Sequence, residues 1–280
     1  MLNGRDCAIT IKTDGLETDI PYSEETVRGA VSILEERAAI EGDGLRRALA
    51  APAGVTGCVA APLTVGTAPL LLLLALGGGE SEAESSGGAR RLGLRLSPME
   101  DADGFDLVQR RGGARVLYEG CKVEGFELRI ERGEAIRLRL DVWGEGAPRA
   151  WPGGGAPASA GARRYHGDAA TFRVNGKEQE NIYALTIESR KKGSARTTLR
   201  LHRALGEGAD FPETIEELEA TALLDGGRGG SGAIRLSLKR LARIADETKV
   251  DAADAVIGPL RYYVAGAVTA EARSAGGGEI

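Results

Sequence analysis

Residues 116–145, VLYEGCKVEGFELRIERGEAIRLRLDVWGE, carry the reading of the fold. Phe126, Leu128 and Ile130 stand on even positions, and so do Ile136, Leu138, Leu140 and Val142. Glu127, Arg129 and Glu131, then Arg137, Arg139 and Asp141, stand on the odd positions between them. A period of two on both sides of a break is the pattern of half-buried strands. The break itself, 131–135, is short and contains Gly133, which suits a hairpin loop. The expectation is two antiparallel strands with one apolar face and one charged face. Because the charges are of both signs, Glu–Arg pairs across the strands are expected. A charged sheet face of this length calls for water, or a water-filled channel, in front of it.

The rest of the chain fits a mainly-β protein. Its 280 residues suffice for one large domain or two small ones with a proper core. Residues 8–12 read as a first strand. Residues 23–38 read as a helix, with Val27, Val31, Leu34 and Ala38 at helical spacing and Ser23 as its cap. A strand is the alternative there, since Val27, Val31 and Ile33 also share odd positions. Residues 54–65 read as a strand broken by Pro62. Residues 67–76 read as a short buried helix stopped by Gly77–Gly79. The apolar run within it is too short to cross a bilayer. Leu92, Leu94 and Leu96 mark a strand, and residues 107–116 a hairpin turning at Arg111–Gly113.

Residues 144–164 are dominated by Gly, Ala and Pro and read as a loop or linker, with Trp143 and Trp151 packing it down. A second strand-rich half follows. It has a strand at 171–174, a tight turn at Asn175–Gly176, and a hairpin from Tyr183, Leu185 and Ile187 to Leu199 and Leu201. In that hairpin Thr186, Glu188, Arg200 and His202 occupy the other face. Residues 213–224 fit helix or strand, 234–239 a strand, and 263–272 a last strand. The reading is a mainly-β sandwich or barrel with few short helices. It is one domain over 1–280, with two similar halves at about 1–147 and 165–280 joined by the linker 148–164.

Chemistry is sparse. The net charge of −5 carries no basic footprint for nucleic-acid binding, and aromatic residues are only 4% of the chain, too few for a base-stacking platform. Three scattered cysteines, Cys7, Cys58 and Cys121, form no CxxC pair; they read as small buried residues in a reducing place of synthesis. The N-terminus lacks a signal-peptide pattern. His166 and His202 have no partner motif and read as surface residues. Residues 99–104, MEDADG, hold a fragment of a calcium loop without its later ligands, so a solvated acidic turn is preferred. Residues 226–232, GGRGGSG, lack the Lys-Ser/Thr of a phosphate loop and read as a turn. The basic runs at 190–192 and 235–243 read as a solvated loop and strand face. No catalytic residue, cofactor or metal ligand is assigned.

The order of motifs resembles the major tail tube proteins of long-tailed, siphovirus-like bacteriophages. The resemblance is carried by Thr26-Val27-Arg28-Gly29-Ala30-Val31 and by the buried run ending Leu74-Ala75-Leu76-Gly77. It is carried most specifically by Tyr118-Glu119-Gly120-Cys121-Lys122-Val123 leading into the long hairpin. It continues in Phe172-Arg173-Val174-Asn175-Gly176, in 182–189 and in 233–241, so it covers most of the chain from about Pro21. It implies a tail-tube β-sandwich whose long hairpins join between neighbours into a lumenal barrel. The implied protein is structural and stacks as rings, commonly hexameric, into a hollow virion tail. Its implied partners are itself and a tape measure protein, while DNA passes without specific binding and no membrane is involved. Synthesis would take place in the host cytoplasm. Glu127, Arg129, Glu131, Arg137, Arg139 and Asp141 would then face the lumen. A DNA conduit should avoid clustered free Lys and Arg, which grip phosphates, so those arginines should be paired or turned away. Two other classes remain: a ligand- or carbohydrate-binding β-sandwich of a phage tail or baseplate, and an enzyme.

The polar and Gly/Pro-rich segments 80–89 and 144–164 are expected to be exposed loops. Limited proteolysis of the unassembled subunit should cut there first, and protection of both segments would refute this.

Overall fold

The structure, a computed structural model, describes residues 7–13, 16–37, 46–76, 89–93, 104–152, 163–190, 196–204, 211–224, 233–246 and 259–273. Among them the chain is mainly β, with one short helix, and the antiparallel sheet does not close. The strands are β1 (Cys7–Thr13), β2 (Leu16–Ile20), β3 (Glu24–Glu25), β4 (Arg28–Arg37), β5 (Arg46–Pro62), β6 (Ala89–Gly93), β7 (Phe105–Arg111), β8 (Ala114–Glu131) and β9 (Arg137–Gly144). They continue with β10 (Arg149–Ala150), β11 (Tyr165–Val174), β12 (Lys177–Glu178), β13 (Ile182–Arg190), β14 (Arg196–Arg203), β15 (Thr214–Leu224), β16 (Ala233–Asp246), β17 (Pro259–Val264) and β18 (Val268–Arg273). The helix is α1 (Ala68–Leu76).

Two compact units share these elements. The first comprises Met1–Val59, Gly104–Lys122 and Asp141–Ala158; the second comprises Ala60–Asp103, Val123–Leu140 and Ser159–Ile280. Neither unit is one contiguous half of the chain, and β5, β8 and β9 contribute residues to both.

In the first unit β1 pairs with β2 and β7, β7 with β8, and β10 with β8, all antiparallel. Ile9, Ile11, Ile20, Leu107, Leu117 and Cys121 are buried there. The region read as a helix at 23–38 is instead β3 and β4, and β4 pairs with β5 from Arg28↔Thr56 to Arg37↔Arg46. Its entry is fixed by contacts distant in sequence. Thr26 N–H donates to the Cys58 carbonyl at 3.0 Å, and Cys58 N–H donates to the Thr26 hydroxyl at 3.0 Å. Backbone pairing thus overrides a local spacing that served helix and strand equally. The Gly/Ala/Pro stretch also contains more order than a loop: Arg149–Ala150 pairs with Leu117–Val116, and Trp151 N–H donates to the Arg115 carbonyl at 3.0 Å. Lys12 Nζ sits 4.2 Å from the Trp151 ring centroid, a cation–π contact that holds this tryptophan down.

The second unit is a continuous antiparallel array. The 125–131 segment of β8 pairs with β13, β13 with β14, β14 with β17, and β17 with β16. On its other side β16 pairs with β15, and β15 with β11. The region 213–224, which fitted helix or strand, is therefore strand β15. The expected last strand at 263–272 is two strands. β17 lies along the end of β16 and β18 along its beginning, with the switch at Ala265–Ala267. The hairpin between β11 and β12 turns at Asn175–Gly176 as read from sequence, with φ of 50° and 77°, the doubly positive geometry of a type I′ turn. Helix α1 forms as expected and packs near β6 and β18. Thr64 and Thr67 cap it reciprocally: their hydroxyls lie 2.8 Å apart, and each accepts the other's backbone N–H. Six of its nine residues are buried, as expected of a helix apolar on every side. No helix among the described residues is long and apolar enough to cross a membrane.

The central hairpin keeps the register read from its sequence. Phe126, Leu128, Ile130, Ile136, Leu138, Leu140 and Val142 are each at most 4% exposed. β9 returns beside β8, so that a Cβ on Gly144 would lie 3.5 Å from Cys121 Cα. At the turn, Glu134 N–H donates to the Glu131 carbonyl at 3.2 Å. Gly167 N–H closes over the same turn, donating to the Glu134 carbonyl at 2.8 Å. A Cβ on Gly167 would come within 2.0 Å of the Glu131 carbonyl oxygen. Two stability outcomes are expected from denaturant midpoints. Leu138→Ala should cost about 2–5 kcal/mol through the cavity it leaves. Gly167→Ala should cost about 1–3 kcal/mol through overpacking. Unchanged midpoints would show that the turn and the core both yield freely.

Candidate functional site

The outward face of the central hairpin extends across four strands of the second unit, and cross-strand register defines it. Glu127 is opposite Glu188, Glu188 opposite Thr198, and Thr198 opposite Tyr263. In the next row Arg129 is opposite Thr186, Thr186 opposite Arg200, and Arg200 opposite Arg261. The third row runs Glu131, Ala184, His202 and Pro259. The alternate residues form the inner rows: Leu128–Ile187–Leu199–Tyr262 and Ile130–Leu185–Leu201–Leu260, all at most 2% exposed. Fully burying such side chains stabilises by about 1.5–3 kcal/mol each, far more than the outward charges contribute, so the inner rows set the register.

Of the six residues singled out from sequence, Arg129, Arg137 and Arg139 are exposed and Glu127, Glu131 and Asp141 are half-buried. Five belong to the second unit, while Asp141 belongs to the first. The second-hairpin residues Thr186, Glu188, Arg200 and His202 share this face with the first hairpin. Sequence gave each hairpin its own polar face but not their union, because the β8–β13 pairing is a long-range contact. Arg261 and Tyr263, not assigned to the face from sequence, extend it, and the register continues to a further row in which Arg190 stands opposite Arg196.

Like charges stand directly opposite each other in these rows, Glu127 against Glu188 and Arg200 against Arg261, an arrangement that is unfavourable on its own. Ion pairs run along and between the rows instead. Arg129 pairs with Glu131, and Arg200 reaches diagonally to Glu188. At the turn Arg137 Nη2 lies 3.8 Å from Glu134 Oε2. Pairs as exposed as these contribute only about 0–1 kcal/mol each to stability. Their effect is local: a guanidinium holding a carboxylate presents less free positive charge to a passing polyanion.

His202 is the titratable member of this face in the physiological range. Burial lowers its pKa from the ordinary 6.5, the Arg129 and Arg200 charges lower it further, and Glu131 opposes them. Its ring lies 5.9 Å from that of Tyr183, tilted by 58°.

The other motifs singled out from sequence supply no second centre. Along β16, Lys239 lies 3.9 Å from Glu217 and Arg243 lies 3.2 Å from Glu213, so the basic run is a strand face facing acids. His166 lies beside Asp168, Nδ1 to Oδ2 at 3.1 Å. The three cysteines are free; burial pushes the Cys121 thiol up to about 12, which makes it unreactive. No group of three or more metal-ligating side chains occurs among the described residues. Residues 99–103, 191–195 and 226–232, which hold most of the acidic turn, the basic loop and the glycine-rich turn, lie outside the described residues, as do 80–88 and 153–162 of the expected loops. No model of a known protein family matches the chain, and no curated protein matches it.

Two outcomes follow from this geometry. Arg137→Ala and Arg139→Ala should shift the unfolding midpoint by no more than about 0.5 kcal/mol, since exposed substitutions seldom do more. Because the folded pKa of His202 lies below the unfolded one, its contribution to stability is complete above the unfolded pKa and is lost as pH falls through the folded value. His202→Gln should therefore flatten the pH dependence of stability as pH falls through and below the ordinary imidazole value of 6.5. An unchanged slope in denaturant titrations at several pH values would refute it.

Proposed function

We propose that the chain is the structural subunit of a phage tail tube, self-assembling into stacked rings around a conduit for the genome, with the four-stranded charged face as conduit wall. The observation that carries this reading is the charged face itself. It is broad, sits on a fully apolar inner layer, and its Arg129 and Arg200 are held by Glu131 and Glu188. A wall that DNA must pass at speed needs charge for hydration without free cations to grip phosphate. The mainly-β architecture and the long hairpin agree with the family pattern that the motif order resembles. Ring closure would also cover sheet edges that otherwise invite uncontrolled pairing. In this reading the partners are other copies of the chain and a tape measure protein, and the site of action is the virion tail.

Negative-stain imaging of the purified protein tests the proposal. Rings or filaments with an open lumen, six-fold when averaged, are expected. A protein that stays monomeric at high concentration in every salt would overturn it.

A further inference from the structure

We propose that His202 makes the charged face a proton-gated surface for polyanions: the three rows around it are charge-balanced when the imidazole is neutral and cationic, hence more adhesive, when it is protonated. This deepens the tube reading and rests on it for its setting, although the test below does not require a tube.

The argument begins with the charge on the four strands. The three rows hold three carboxylates, Glu127, Glu131 and Glu188, and three guanidiniums, Arg129, Arg200 and Arg261. With His202 neutral these three rows are balanced, while one row further the exposed Arg190 and Arg196 add positive charge. A proton on His202 leaves the three rows with one excess positive charge. The position of that charge matters as much as its sign. His202 occupies the third row between Ala184, whose side chain is a methyl, and Pro259, whose ring has no donor or acceptor. The groups that face it are Arg129 and Glu131 from β8, Tyr183 from β13, Arg200 two residues back on its own strand, and Arg261 one row away on β17. The acid among them, Glu131, is already engaged by Arg129. The new cation would therefore form a cluster with Arg129 and Arg200 rather than a neutral pair.

Burial, and then those same arginines, hold the imidazole below its ordinary 6.5, so the neutral form prevails at about pH 7 and the three rows rest in their balanced state. A phosphate chain lying on the face reverses the balance, because it screens the arginines and favours the protonated ring. By linkage, a polyanion that binds better to the protonated face must raise the affinity of His202 for its proton. Acidification and polyanion binding should each promote the other.

Binding of a labelled random-sequence duplex DNA to the full chain, measured across salt concentrations at about pH 7.5 and about pH 5.5, tests the proposal. For the wild type, lowering the pH should tighten binding and steepen the log–log salt dependence by about 0.9 for each histidine engaged. His202→Gln should lose that increment, retaining only the weaker effect common to all carboxylates. His202→Lys should bind at neutral pH as the wild type does in acid. In the wild type the NMR titration midpoint of His202 should also rise when DNA is added. Equal steepening in His202→Gln, no tightening in His202→Lys, or a midpoint unmoved by DNA would each overturn the proposal. The midpoint measurement needs no variant, so a substitution that fails to fold does not rescue it. Imaging the same preparation separates the two readings. Absence of tubes with the histidine effect intact defeats only the tube, whereas tubes without the effect defeat only the gate.

Discussion

The structure of the second unit depends on the apolar rows that run through four strands. Leu128, Ile187, Leu199 and Tyr262 form one row, and Ile130, Leu185, Leu201 and Leu260 the next. A side-chain period of two leaves no intermediate register: a slip of one residue on any strand would bury its outward polar residues and expose its apolar ones. The cost of burying unpaired charge far exceeds anything the surface ion pairs return. The outward face is therefore a dependent feature. Its charges stand where the inner rows put them, including the unfavourable oppositions of Glu127 with Glu188 and Arg200 with Arg261. The ion pairs along and between the rows then accommodate charges whose positions were already set.

This hierarchy explains why one part of the molecule could be read from sequence and another could not. The central hairpin was legible because its alternation holds on both sides of one short break, over three and then four apolar residues, and the turn at Asn175–Gly176 because its backbone geometry favours those residue types. The helix α1 was legible from a compact apolar run ending at glycines. Residues 23–38 were not, because Val27 and Val31 satisfy both periods and the deciding bonds come from Cys58, far along the chain. The division of 263–272 into two strands was equally hidden. It depends on β16, where Arg240 adopts a φ of 53° and the paired strand changes from β18 to β17. Alternation within 263–272 carries no sign of that exchange.

The candidate site shows the same limit in another form. Each charged face was visible within its own hairpin, since alternation is a local property. Their merger was not, because only the register of β8 on β13 places Glu188 opposite Glu127 and Arg200 one strand beyond Arg129. The electrostatic environment of His202 is thus assembled from β8, β13, β14 and β17. As a residue in isolation it was indistinguishable from any surface histidine, and only the packed sheet surrounds it with two arginines and a tyrosine ring.

The interleaving of the two units has a consequence for the time course of folding. The first unit draws on residues up to Val59, on Gly104–Lys122 and on Asp141–Ala158, so β1 can pair at once with β2 and β4 with β5, while the β1–β7 and β8–β10 pairings wait until β7, β8 and β10 have left the ribosome. The second unit begins at Ala60 and cannot pair β16 with β18 until the last described strand has been made. Such non-local pairing makes loop closure costly before any contact rewards it, which places this chain among slow folders. During that interval the 125–131 segment of β8 is without its partner β13. A nascent chain of this design carries that unpaired strand edge until β13 has been made, which is when such an edge can pair wrongly.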